Sequence, residues 1–135
     1  MRTIYTQSKV VKALAYAVRT ANAAVNGTSI DLAQGGNNYR DALFIFKTET
    51  VTDGTVAVTI EESDSSGSGF AAVDSTRIQG TLPAVTEDDD DTVYAIGVRP
   101  TKRYVRLVAA TAGATSGAGF SAVAVLGNGS NNPPV

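Results

Sequence analysis

The side chains able to do chemistry are few and unevenly placed. The 135-residue chain contains no histidine and no cysteine. That removes the commonest general base, the thiolate nucleophile and the usual ligands of tetrahedral zinc, and with them Ser-His-Asp and Cys-His catalysis. Carboxylates remain. Glu87, Asp88, Asp89, Asp90 and Asp91 form an unbroken acidic run, and Glu61, Glu62 and Asp64 stand close together. Glu61 and Glu62 are neighbours in a strand pattern, so they point to opposite faces and cannot share a substrate. The acidic run offers oxygen ligands to calcium, but "EDDDDTVYAIGV" lacks the alternating ligands, central glycine and closing glutamate of an EF-hand loop. A solvated loop entering a strand is the simpler reading. No enzyme, metal or cofactor is expected.

A concentration of positive charge follows at once. Arg99, Lys102, Arg103 and Arg106 place four of the eleven basic residues within eight positions. A phosphate-binding patch is one reading, and Tyr104 between the cations suits base stacking. Against it, the net charge is −2 and the pI near 4.9, whereas nucleic-acid binders are usually basic. Tyr5, Tyr16, Tyr39 and Tyr94 are scattered and build no aromatic array. The adjacent acidic run would repel phosphates within a Debye length of roughly 8–10 Å. The preferred reading is structural: a charged segment that keeps a strand edge from stray pairing, or a protein interface. Its cations would then meet carboxylates of a neighbouring subunit or the chain's own acidic run. The glycine-rich stretch around residues 113–119 is followed by no lysine and no helix pattern, so it reads as a turn and not a phosphate loop.

The elements that must carry these residues are strands. "TVAVTIEE" sets Val56, Val58 and Ile60 on one face and Ala57, Thr59 and Glu61 on the other, the period of a half-buried antiparallel strand. "RYVRLVAA" alternates likewise, with Val105, Leu107 and Ala109 inward. "ALFIFKTETV" opens on a continuous apolar run and reads as a central strand covered on both faces. "TVYAIGV" is similar, with Gly97 at a bulge. "GFSAVAVLG" reads as a buried closing strand. Asp53-Gly54 between two strand patterns predicts a hairpin. Phe70, after the polar "SDSSGSG", is expected to fold back onto the core. "SKVVKALAYAVRTANAAV" has Val10, Leu14 and Val18 four apart, as in a helix, yet its valine-rich pairs favour extended structure.

Composition sets the frame. Hydrophobic residues at 43% suffice for one core, and 18% charged is below the usual quarter. The fold class is all-β: a single-domain antiparallel β-sandwich, jelly-roll-like, over residues 1–127, with 1–9 as an N-terminal arm and 128–135 as a flexible tail. Nothing resembles a secretory leader or approaches the ~18 apolar residues of a membrane helix.

The order of segments is familiar. "TIYTQSKVVKALAYAV", "NGTSIDLAQ", "DALFIF", "DGTVAVTIEESDSSGSGFAAV", "TVYAIGVRPTKRYVRLV" and "SAVAVLGN" together resemble small proteins encoded beside the major capsid protein of tailed bacteriophages, the head decoration or cement proteins. "KRYVRLV" and "SAVAVLGN" are the most specific pieces. The resemblance implies a β-sandwich on the outer capsid surface, assembled in the host cytoplasm, that stabilises the head. It implies two partners: the major capsid protein and the chain itself, with a homotrimer favoured over a dimer. It implies no catalytic residue, nucleic acid or membrane. Arg2, Tyr5, Lys9, Arg99, Lys102, Arg103 and Arg106 are the candidate interface residues. A tail or fibre component is the alternative. A carbohydrate-binding module is a third, weakened by the absence of Trp and the presence of only nine aromatic residues.

Overall fold

A computed structural model describes residues 3–34 and 36–130. A four-residue helix α1, Ile4–Gln7, precedes strands β1 Lys9–Arg19, β2 Ala24–Asn26, β3 Ile30–Asp31, β4 Ala33–Gln34, β5 Asn37–Asn38, β6 Asp41–Val51 and β7 Thr55–Ser63. After these come β8 Ala71–Ala72, a 3-10 turn Ser75–Arg77, β9 Ile78–Gln79, β10 Ala84–Val85, β11 Val93–Val98, β12 Tyr104–Ala112 and β13 Ala118–Gly127. One sheet has the order β1-β13-β6-β11-β9. The other has β10-β7-β12-β2, with β3 added to β12 and β8 to β7. Every described pairing is antiparallel. The all-β sandwich read from the alternation is the observed fold.

Between the sheets lies one core. β6 contributes Phe44 and Phe46, β13 Phe120 and Leu126, β7 Val56, Val58 and Ile60, and β12 Val105 and Leu107, all at 2% exposure or less. The many alanines have a packing reason. Ala122 pairs with Phe46 and Ala124 with Phe44 across β13 and β6, so each large ring has a small neighbour beside it. Phe46 and Phe120 sit 5.4 Å apart between centroids, tilted by 39°, an arrangement aromatic pairs favour.

Four local expectations are corrected. First, Asp53-Gly54 does not close a hairpin. β6 pairs with β11 and β13 while β7 pairs with β10, β12 and β8, so the turn is an arch between sheets. Gly54 takes φ +80, and a side chain there would meet the Ala112 carbonyl at 2.8 Å. Second, β6 is central but covered on one face only: Ala42, Phe44, Phe46 and Thr48 are buried while Leu43 and Lys47 are exposed. Third, Gly97 is no bulge. The β11–β6 register runs unbroken through Gly97 and Leu43; the glycine instead makes room for Gln79 of β9, whose side chain would lie 3.3 Å from an added Cβ. Fourth, Phe70 lies outside the core, its ring 4.0 Å from the Arg106 guanidinium carbon.

The N-terminal segment is extended, as its valines favour. Its helix-like spacing has a cause. Register shifts fall between Lys12 and Leu14 and between Leu14 and Ala17, so Ala13 and Leu14 are both buried while Val10 and Val18 face out. Bulges of this kind also blunt an edge strand. Residues 128–130 follow β13 against the β4–β5 ribbon, where the Ser130 amide donates to the Asn38 carbonyl at 3.1 Å. The remaining tail positions, 131–135, lie outside the described residues.

Candidate interaction surfaces

The acidic run and the cationic segment are neighbours in sequence and opposites in space. β11 runs between them. Its six residues at about 3.3 Å each span about 20 Å, more than twice the Debye length of about 8 Å at physiological salt. The cations therefore do not pair with residues 87–91. They pair with carboxylates that other strands bring to the same end: Arg99 with Asp41 at 3.0 Å, Lys102 with Asp64 at 3.1 Å, Arg103 with Asp31 at 2.9 Å and Arg106 with Glu61 at 2.7 Å. The Arg103 hydrogen bond holds the Asp31 carboxyl below its ordinary range against the opposing effect of burial, helped by the Ala33 amide. Arg103 also lies over the Tyr104 ring, 5.2 Å from its centroid.

A further pair at this end was not read from the sequence. Glu62 is 4% exposed, one residue from Glu61 and facing inward. Arg77 donates to both its oxygens, at 3.1 and 2.8 Å, and the Thr101 amide donates at 2.9 Å. Burial pushes the Glu62 carboxyl up, but these donors outweigh it, and the net direction is down. The pair ties the 3-10 turn and the loop after β11 to β7. Arg40 was missed as well. It is exposed, lines an open groove with Arg99, Lys102, Arg103, Asn38 and Tyr39, and has no ion pair among the described residues. The "RD" of "NNYRD" gave no periodic signal that would have placed it there.

The acidic run is partly structural. Asp89 caps its own turn by accepting from the Thr86 amide at 2.8 Å, and Asp90 accepts from the Val51 amide at 2.7 Å. The buried Thr48 hydroxyl donates to the Asp89 carbonyl at 2.6 Å. Glu87, Asp88, Asp90 and Asp91 remain exposed. Among the described residues no group of three or more acidic side chains is placed to hold a metal ion. At the same end Asp53 accepts from the Thr115, Ser116 and Gly117 amides, at 3.1, 3.1 and 2.7 Å, which lowers its pKa.

The outer faces of the two sheets differ. Of the eight exposed large apolar side chains among the described residues, six lie on the β1-β13-β6-β11-β9 sheet: Val10, Tyr16, Val18, Leu43, Val93 and Val123. Cross-strand register joins part of this face, since Val10 pairs with Val125, Val125 with Leu43, Val123 with Ile45 and Ile45 with Ala95, while Lys12 opposite Val123 and Lys47 opposite Val93 interrupt it with charge. The opposite sheet shows threonines, alanines and the Glu61–Arg106 pair. The sequence hid this face, because an outward Val on a sheet looks like an inward one.

The seven candidate interface residues divide. Tyr5, 90% exposed on α1, and Lys9, at the start of β1, stand beside Ile4 at one end of the apolar face. Arg99 stands at the end of β11, at the same end of that sheet. Lys102, Arg103 and Arg106 belong to the other sheet and the loop before it. Arg2 lies outside the described residues.

No family model matches the chain and no curated protein matches it. Among solved structures, that of the PBSX exported protein XepA is similar, with a TM-score of 0.63 at 18% identity, over 100% of this chain and 42% of that one. At that identity the likeness is one of fold, and this chain spans less than half the length of the protein it matches.

Proposed function

We propose that this chain is a non-catalytic structural protein of a phage virion, which fastens to the outer capsid lattice and stabilises the head. The observation that carries this reading is the apolar outer face of the five-stranded sheet. Exposed apolar patches of this kind mark interaction sites, and many copies on a lattice add their modest contacts multivalently. The absence of His and Cys supports a role through contact area. The likeness to a protein of phage PBSX supports the phage setting. The partners under this reading are the major capsid protein and further copies of the chain, without nucleic acid or membrane. Among the described residues no helix is long and apolar enough to cross a membrane.

The test is co-sedimentation of the purified protein with shells that lack it, beside a Leu43→Glu/Val123→Glu variant. The wild type pellets with shells and the variant stays in solution while its unfolding midpoint is unchanged. Equal binding by both would remove the apolar face from the interface, and no binding by either would remove the reading. A second reading takes its support from the word "exported" in the structural neighbour's name: a phage protein released without remaining on the particle. Purified virions free of the protein, with the protein in the culture fluid, would favour it.

A further inference from the structure

Charge is distributed along the strand direction as two poles. At one end β6, β11 and β13 bring together Glu49, Asp53 and the five acids of residues 87–91, where the cations among the described residues are Lys47, paired with Glu49 at 2.9 Å, and Arg19 at the end of β1. At the other end lies the groove with Arg40, Arg99, Lys102 and Arg103 on its walls. Arg40 has no ion pair among the described residues, and the three bridges beside it are exposed: their cation side chains are 74, 44 and 54% accessible. Such bridges contribute little on their own, so these cations can exchange one carboxylate for another. Among the described residues Glu87, Asp88, Asp90 and Asp91 are exposed and have no ion pair, and the groove is about one β11 length away from them.

We propose that the acidic end of one copy, residues 87–91, seats in the cationic groove of a second copy. The occupant is set by charge complementarity. An acidic chain keeps a groove of four cations, three of them in exposed ion pairs, at one pole and its densest acidic segment at the other, too far apart to meet within a molecule. The two surfaces are different, so the contact is head-to-tail and repeats, closing into a ring or extending as a stack. It leaves the apolar face open and does not depend on what that face binds.

The experiment is sedimentation velocity on the full chain over a concentration series, at low and high salt. Arg40→Glu/Lys102→Glu reverses the groove, and Glu87→Lys/Asp88→Lys reverses the acidic end; all four side chains are exposed. The wild type self-associates at low salt and dissociates at high salt. Each variant alone loses association by about tenfold or more, since like charges then face each other. An equimolar mixture of the two recovers it, because the unreversed acidic end of one variant meets the unreversed groove of the other, and the two reversed surfaces are again opposite in sign. Should either variant fold poorly, Arg40→Gln/Lys102→Gln and Glu87→Gln/Asp88→Asn weaken association without reversal. A wild type that stays monomeric at low salt overturns the proposal. So does salt-independent association, or a mixture no better than its components. Shell binding by monomeric variants would overturn nothing in the proposed function, so the two ideas fail separately.

Discussion

Replacing Glu62 with Gln tests how the buried ion pair works. The substitution keeps the shape and one acceptor for the Thr101 amide but removes the charge, and it turns an amide NH2 toward the Arg77 guanidinium. Hydrogen bonds to a charged group contribute about 1.5–3 kcal/mol each, against about 0.5–1.5 for neutral ones. The wild type already bears a desolvation cost for the buried carboxylate, which the Gln variant escapes. The balance is a loss of about 2 kcal/mol at pH 7, or about 7 °C in midpoint for a domain of this size. The pH dependence carries the sharper test. Glu62 has a folded-state pKa below the ordinary 4.5. Its contribution is therefore complete above about pH 4.5 and declines as pH falls toward the folded value, because the unfolded chain takes the proton first. The difference between wild type and Glu62→Gln, from urea unfolding, should be full at pH 7 and shrink below pH 4.5. Arg77→Met should cost more than Glu62→Gln, because it leaves the carboxylate buried without its partner. A difference under about 0.5 kcal/mol at pH 7, or one that does not change down to pH 3, would refute the reasoning.

Other expectations follow from particular contacts. Phe44→Ala should destabilise by about 3–5 kcal/mol in urea unfolding, since its ring is fully buried and Ala124 beside it is too small to fill the space. Gly117→Ala should cost at least about 2 kcal/mol: its φ is +82 and the new Cβ would fall 2.0 Å from the Arg19 carbonyl, which a thermal midpoint would register. Asp53→Ala removes the acceptor of three amides in the loop before β13, so hydrogen exchange at Thr115, Ser116 and Gly117 should accelerate while core amides stay protected.

The sequence made the strands legible because alternation follows from burial, and burial is local information. Val56, Val58 and Ile60 show it, as do Val105, Leu107 and Ala109. It did not show which strands share a sheet. Asp53-Gly54 has hairpin chemistry, yet its flanking strands join different sheets, a choice made by partners at β11, β12 and β13. The charges were legible as a concentration and illegible as an arrangement. Proximity along the chain suggested that residues 87–91 and Arg99 to Arg106 meet, but a strand between two segments holds them apart. Glu62 illustrates the same limit: alternation turned it inward, and only the loop carrying Thr101 and the turn carrying Arg77 explain how it is tolerated there.

The strand order has a consequence for biosynthesis. Among the described strands β1 is hydrogen-bonded along its length only to β13, so the first of these strands to be made waits for the last. β13 also stands between β1 and β6, and a nascent chain stopped short of it would leave β1 without its partner strand. Folding of this domain is thereby tied to the synthesis of β13, a slow, non-local closure that leaves chains without it exposed to aggregation.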